Sequence, residues 1–175
     1  MTKFIGYKNW LNESEESSGS QIIDYLNQVA KMMAGNGRQG KYWQWKADHA
    51  KLLKQVKTDA IGNQYPDIAR YVKTHKKQVI QKQCYKNAAQ LCTSCPGVKY
   101  VEGEISYHGI PIEHAWNKID DKYFDITKDV LFNGSTDYAE YVSIIELSDT
   151  ELYEFMIETG TYGGFLREKF LKDTK

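Results

Sequence analysis

A cysteine, a histidine and an aspartate follow one another in an order that nucleophilic catalysis can use. Cys84 lies at the start of a predicted helix, His114 in a predicted strand, and Asp125 in the next predicted strand. A thiol attacks carbonyl carbon as the thiolate, and its free pKa of about 8.5 leaves little thiolate at neutral pH. A helix N-terminus and a neighbouring imidazolium both favour the thiolate, and a carboxylate fixes the imidazole tautomer. The three residues therefore predict covalent acyl transfer through Cys84.

The spacing of His114 and Asp125 fits a β-hairpin. They are 125 − 114 = 11 residues apart, and Asp120-Asp121 between them has the form of a tight polar turn. Such a turn places the two residues on neighbouring antiparallel strands, nearly opposite one another and within reach of a cross-strand pair. Asp120 and Asp121 remain rivals of Asp125 for the orienting role.

The segments around these residues resemble the transglutaminase-like (papain-like) superfamily of cysteine enzymes. Residues 84–88, with the sequence CYKNA, look like its nucleophile segment, and residues 100–103 (YVEG) are similar to its first core strand. Residues 114–116 (HAW) and 125–127 (DIT) look like its histidine and aspartate signatures, in the same order. The resemblance covers about residues 78–128.

This resemblance implies a role for each member of the triad. Cys84 would be the nucleophile, His114 the general base and then the general acid, and Asp125 the orienting group. The glycine-rich approach to the cysteine is absent, because residues 81–83 read QKQ. That departure leaves the second donor of the oxyanion hole open.

Donors aimed at the developing oxyanion are the next requirement of acyl transfer. The backbone N–H of Cys84 is one candidate. Gln78 lies six residues before Cys84, an offset at which papain-like proteases often place such a glutamine, and it is the second candidate. Gln81 and Gln83 compete for this role, and the alternative is that Gln78 is simply solvated.

Three further side chains near the predicted site have both a functional and a structural interpretation. Asn87 lies one helical turn after Cys84, so it either faces the substrate cleft or caps locally. Trp116 forms part of the core or the wall of a substrate pocket. His108, before Gly109, is a solvated loop residue or lines the rim of the cleft.

Cys92 and Cys95 form a C-x-x-C pair at the end of the predicted nucleophile helix. Such a pair is half of a zinc site, and no second pair or suitably spaced histidine completes it. We therefore expect no metal and no other cofactor. The two thiols are interpreted as incidental, with a redox role together with Cys84 as an alternative.

Hydrophobic periodicity predicts helices first and strands afterwards. The predicted helices cover about residues 22–33, 42–56, 66–79 and 84–92, followed after the strands by one at about 149–158 and a short one within 163–175. The predicted strands cover about residues 98–107, 110–119, 122–126 and 141–147. Pro66 fits the first turn of a helix, and Ser148 with Glu151 has the form of a capping box.

This order predicts an α+β fold of one domain, in which the nucleophile helix packs on a small antiparallel sheet. Residues 1–77 would be a helical N-terminal part, 78–147 the transglutaminase-like catalytic core, and 148–175 a C-terminal helix and tail. The 175 residues, 41% of them hydrophobic, suffice for one such core.

Composition and charge limit the cellular compartments and the classes of binding partner that we expect. No apolar run approaches the roughly 20 residues of a bilayer span, and three cysteines do not make a secreted disulfide framework, so we expect a cytoplasmic protein without membrane partners. Only 3 of the 23 basic residues are arginines, which disfavours nucleic-acid recognition. Residues 46–86 carry a balance of +7 and residues 102–158 one of −11. These regions either lie side by side or include a basic face for an anionic partner.

The sequence thus predicts a cysteine hydrolase or acyltransferase acting on a protein, a peptide or a small amide. Hydrolysis by a peptidase, amidase or deamidase is favoured over amine transfer, because water needs no second binding site. The alternative is a binding or inhibitor protein that keeps the fold without the reaction, acting on a macromolecular partner.

Overall fold

In the computed structural model, residues 18–107, 110–132 and 139–175 are described, and they form an α+β fold around one antiparallel sheet. The helices are α1 (Gln21–Met32), α2 (Gly37–His49), α3 (Thr58–Gly62), α4 (Pro66–His75), α5 (Cys84–Ser94), α6 (Ile126–Phe132), α7 (Asp149–Thr159) and α8 (Leu166–Asp173), with a short 3₁₀ helix at Lys76–Gln78. The strands are β1 (Lys51–Leu53), β2 (Lys99–Tyr107), β3 (Ile110–Ile119), β4 (Lys122–Phe124) and β5 (Glu140–Leu147). His108 and residues 1–17 lie outside the described residues.

The sheet has the strand order β1-β5-β2-β3-β4, and each neighbouring pair is antiparallel. The last strand in the sequence therefore lies inside the sheet, between β1 and β2. Strands β3 and β4 form the predicted hairpin, with Asp120 in the left-handed region at φ +46°. The polar turn between them is confirmed.

Helix α5 packs directly on the sheet. Its small residues Ala88 and Ala89 are buried, which lets the helix approach β3 closely. The side-chain nitrogen of Asn117 on β3 donates to the carbonyl oxygen of Ala88 over 2.9 Å. Helix α5 is thereby fixed to the strand that carries His114.

Gly103 on β2 allows close packing of the sheet centre. A Cβ at this position would lie 2.0 Å from the carbonyl oxygen of Val142 and 3.0 Å from the ring of Trp116. The register between β2 and β5 shifts at this point, and Gly103 pairs with His114 across to β3. An apolar cluster fills this region, formed by Val101, Ile105, Trp116, Tyr123 and Tyr141.

Two predicted elements are wrong in extent. The helix predicted over residues 42–56 ends at His49, and β1 follows, because residues 51–53 pair with β5 and this tertiary pairing overrides helical periodicity. The strand predicted over residues 122–126 ends at Phe124, and α6 begins at Ile126.

Several local signals are confirmed. Pro66 occupies the first turn of α4, and Ser148 and Glu151 form the predicted capping box of α7. Gly160 closes α7 at φ +69°. Among the described residues, none of the helices combines the length and apolar character needed to span a bilayer.

Candidate active site

Cys84 is the first residue of α5, and the chain before it is held in place by Asn87. The side chain of Asn87 accepts from the N–H of Ile80 over 3.2 Å and donates to the carbonyl oxygen of Ile80 over 2.9 Å. It also donates to the hydroxyl of Thr127 over 3.1 Å. These bonds tie the approach to Cys84 and helix α6 onto α5. A substrate contact of Asn87 stays a prediction.

The three predicted triad residues meet in the structure. Nε2 of His114 lies 2.7 Å from Oδ2 of Asp125, and the side chains are 12% and 0% exposed. The thiol of Cys84 lies next to the same imidazole, which lowers the pKa of the thiol.

The sequence predicted that Asp125 lies within a strand. In the structure it instead caps helix α6. Its Oδ1 accepts from the N–H of Lys128 over 3.0 Å, and its carbonyl oxygen accepts from the N–H of Asp129 over 3.0 Å. A short polar residue after a strand is favoured at such an N-cap. The cap fixes the carboxylate, so that Oδ2 faces His114.

The rivals Asp120 and Asp121 lie elsewhere. Both are exposed in the β3–β4 turn, and Asp120 accepts a hydrogen bond from the hydroxyl of Tyr65. The aspartate that contacts His114 is therefore Asp125.

The thiol of Cys84 is set to ionise. Burial raises the pKa of this thiol, but the hydrogen bond and charge of His114 lower it. Backbone hydrogen bonds from Ala115 and Tyr85 lower it further, and the net pKa of Cys84 lies below its ordinary value. The sulfur sits where several donors favour the anion.

The imidazole of His114 is set to carry the matching positive charge. Burial disfavours the imidazolium, but the carboxylate of Asp125 and the hydrogen bond with Cys84 raise the pKa of His114 to about 10. Burial likewise works against ionisation of Asp125, yet His114, Lys128 and Tyr141 keep its pKa below the usual range. The arrangement supports a thiolate–imidazolium pair at neutral pH.

A residue that the sequence did not single out, Tyr141, completes this array. Its hydroxyl donates to Oδ2 of Asp125 over 2.8 Å. Tyr141 lies on β5, and the only available signal was its place at the start of a predicted strand. Its proximity to Asp125 depends on the strand order, which local sequence does not encode.

Trp116 packs beside His114 and is fully buried. The two rings are stacked with centroids 6.2 Å apart. The expectation that Trp116 belongs to the core is confirmed, and a direct substrate contact stays a prediction.

The candidate oxyanion glutamines are exposed. Gln78 ends the short 3₁₀ helix, and Gln81 and Gln83 follow it before α5. The choice of Gln78 as the second oxyanion donor stays a prediction.

Charged side chains form a partly buried layer beside the triad. Nζ of Lys46 on α2 is 2.5 Å from Oε1 of Glu104 and 3.2 Å from Oε1 of Glu113, the residue before His114. The lysine is 1% exposed, whereas Glu113 is 47% exposed. This contact joins the basic and acidic regions of the chain, which favours the interpretation that they lie side by side.

Glu102 anchors the loop before α8 against helix α5. It is 1% exposed and accepts from the hydroxyl of Tyr100 over 2.6 Å and from the N–H groups of Gly164 and Phe165 over 2.8 and 2.9 Å. Burial raises the pKa of Glu102 to about 7. A Cβ at Gly163 would lie 2.5 Å from Cβ of Tyr85, so the loop packs against the residue that follows Cys84.

Cys92 and Cys95 are free, buried thiols with separate partners. The sulfur of Cys92 donates to the carbonyl oxygen of Val98 over 3.1 Å, and that of Cys95 lies 3.8 Å from the carbonyl oxygen of Asp67. Burial raises the pKa of both thiols, that of Cys92 to about 12. Within the described ranges, no group of three or more His, Cys, Asp or Glu side chains is placed to hold a metal ion.

No family model matches this sequence, and comparisons with the curated proteins and with the solved structures give no significant match either.

Proposed function

We propose that this protein is a cysteine-dependent acyl-transfer enzyme that hydrolyses an amide bond through an acyl-enzyme intermediate. The observation that carries the proposal is the array in which Asp125 holds Nε2 of His114 over 2.7 Å while Cys84 contacts the same imidazole. A lowered thiol pKa beside a raised imidazole pKa is what a nucleophilic cysteine requires.

The reaction begins with attack of the Cys84 thiolate on the carbonyl carbon of the substrate. A C–S bond forms, and the carbonyl π electrons move to oxygen to give a tetrahedral oxyanion. The oxyanion then collapses, the C–N bond breaks, and the imidazolium of His114 transfers its proton to the departing nitrogen. A thioester and a free amine result.

Deacylation reverses the roles. Neutral His114 takes a proton from water, whose oxygen attacks the thioester carbonyl, and collapse of the second tetrahedral oxyanion releases the acid and the Cys84 thiolate. Asp125 keeps the imidazole in one orientation throughout. The steps use only side chains of this chain and water, and a peptidase, an amidase and a deamidase all share them.

The transglutaminase-like core over residues 78–147 is part of this proposal. It is supported by the order Cys84, His114 and Asp125, by a nucleophile at the first residue of a helix, and by the packing of that helix on the histidine-bearing strand. The helical part before residue 78 would then shape substrate selection.

The first test is alkylation of the native protein by iodoacetamide as a function of pH, with each adduct located by peptide mass. Cys92 is an internal control, because its pKa of about 12 keeps it protonated. We expect Cys84 to react much faster than Cys92 at pH 6, since the pKa of Cys84 lies below its ordinary value whereas burial raises that of Cys92 to about 12. Equal rates would overturn the proposed activation.

The second test separates the enzyme from a binding protein of the same fold. Acyl-4-nitroanilides and peptide amides would be screened for turnover with wild type, Cys84→Ala and the matched control Cys92→Ala. An enzyme loses turnover in Cys84→Ala alone, while both variants stay folded. A biological effect that survives Cys84→Ala without any turnover in wild type would support the binding protein.

A further inference from the structure

Two donors share the carboxylate oxygen that holds His114. Oδ2 of Asp125 accepts from Nε2 of His114 over 2.7 Å and from the hydroxyl of Tyr141 over 2.8 Å. Oδ1 accepts from the N–H of Lys128 over 3.0 Å. The carboxylate is thereby held at three points and cannot rotate without breaking one of these bonds.

The position of Tyr141 is set by the centre of the sheet. Tyr141 is 1% exposed and pairs with Ile105 on β2. Its ring makes edge contacts with His114 at 6.4 Å and with Trp116 at 5.3 Å between centroids. The hydroxyl is therefore delivered by packing, which leaves it little freedom to adopt another geometry.

We propose that Tyr141 is a positioning residue for the reaction, acting through Asp125 to keep His114 against Cys84. This inference rests on the proposed function. Without the hydroxyl, one of the bonds that orient the carboxylate is lost, and the imidazolium is held less well beside the sulfur. This loss of positioning disfavours the Cys84 thiolate.

Tyr123 offers a matched control within the same apolar cluster. It is 6% exposed, and its hydroxyl donates to Oε1 of Glu146 over 2.5 Å. Tyr123→Phe removes the same kind of tyrosine–carboxylate bond away from the triad. The pair Tyr141→Phe and Tyr123→Phe therefore separates loss of a buried hydrogen bond from loss of positioning.

The experiment measures the rate of Cys84 alkylation by iodoacetamide against pH in wild type and both variants, with urea unfolding beside it. In Tyr141→Phe we expect the fall in rate on the acid side to move upward by about 0.5–1 pH unit, so that the rate at a pH within this fall drops about three- to tenfold. In Tyr123→Phe the curve should coincide with wild type. A purely structural role would lower stability in both variants without moving either curve.

The double variant Asp125→Asn/Tyr141→Phe tests whether Tyr141 influences Cys84 through Asp125. Asp125→Asn replaces the buried carboxylate by an uncharged amide. If Tyr141 acts through Asp125, the double variant gives the same pH curve as Asp125→Asn alone, and an additional shift would overturn that route. A wild-type curve on Tyr141→Phe would overturn the inference but leave the proposed function intact. A wild type whose Cys84 reacts only near pH 8.5 would overturn the proposed function itself.

Discussion

The two ends of helix α5 carry cysteines whose pKa values are shifted in opposite directions. At the first residue, the pKa of Cys84 lies below its ordinary value, whereas near the other end burial raises the pKa of Cys92 to about 12. Burial acts in the same direction at both thiols, so it does not explain the difference. The hydrogen-bond partners do: Cys84 contacts His114 and backbone N–H groups, whereas Cys92 donates to the carbonyl oxygen of Val98.

Residue type and burial alone therefore do not predict the reactivity of a thiol. A sulfur among donors is favoured as the anion, and a sulfur against a carbonyl is favoured as the thiol. The helix dipole adds to this difference, since the N-terminus favours an anion and the C-terminus disfavours it. Substitutions of the residues around each sulfur test which partner sets its pKa.

Removing the imidazole should have the largest effect, because His114 is the partner that lowers the pKa of Cys84 most. In His114→Ala we expect the rate of Cys84 alkylation at pH 6 to fall by up to about 300-fold, since a thiol of pKa 8.5 is only about 0.3% thiolate at that pH. The measurement is iodoacetamide labelling followed by peptide mass. His49→Ala, an exposed histidine on α2, serves as control, and a wild-type rate in His114→Ala would contradict the comparison.

Removing the charge behind the imidazole should have the next largest effect. Asp125→Asn takes away a buried carboxylate whose field raises the pKa of His114, and we expect a fall of about 100-fold in Cys84 alkylation at pH 6 because such a carboxylate changes a partner pKa by about two units. Asp120→Asn, in the exposed turn, should leave the rate unchanged. The opposite ranking of the two variants would return the orienting role to the turn.

Glu102, which lies near the Cys84 end of α5, should make the free energy of unfolding depend on pH. Its pKa in the folded protein, about 7, lies above the unfolded value near 4.5, so its stabilising contribution is complete below pH 4.5 and is lost as pH rises through 7. Relative to wild type, Glu102→Gln should therefore gain about 2–3 kcal/mol in the free energy of unfolding between pH 5 and pH 8. Urea unfolding at both pH values measures this change.

Glu146→Gln provides the contrast for that experiment. Although burial works against the ionised form, hydrogen bonds from Lys118 and Tyr123 keep the pKa of Glu146 below its ordinary value. The difference between this variant and wild type should therefore stay constant from pH 5 to pH 8. A pH-independent difference for Glu102→Gln as well would show that Glu102 is ionised throughout the range.

The smallest effect is expected at Asn87, which holds the approach to Cys84. Asn87→Ala leaves the N–H and carbonyl of Ile80 without their side-chain partner and should lower the free energy of unfolding by about 1–3 kcal/mol. Urea unfolding compares it with Gln90→Ala on the same helix, for which a change within about 0.5 kcal/mol is expected. Equal losses in the two variants would remove the special role of Asn87.

The candidate site was more predictable than the sheet that carries it. The identities and order of Cys84, His114 and Asp125 are local features of the sequence, and the turn at Asp120-Asp121 is a strong short-range signal. The structure brings these three residues together as predicted. The strand over residues 122–126 was favoured over a turn or cap role for Asp125, because these residues also fit the alternation of a strand.

Features that depend on distant pairing could not be found in this way. The sequence predicts a helix through residues 51–53, because these residues become strand β1 only through their pairing with β5. Tyr141 and Glu102 have their roles for the same reason. Each contacts a partner that lies far away in sequence, Asp125 in one case and the loop at Gly164 in the other.

The interior position of β5 determines when the sheet can fold during synthesis of the chain. Because β5 inserts between β1 and β2, the sheet cannot close until residues 140–147 have been synthesised, and long-range pairing of this kind slows folding. Tyr141 reaches Asp125 only at that stage, and Glu102 receives its backbone donors later still, from Gly164 and Phe165. A growing chain thus carries Cys84 long before its surroundings are assembled. The order of synthesis therefore leaves the surroundings of Cys84 incomplete until residues 140–165 have emerged.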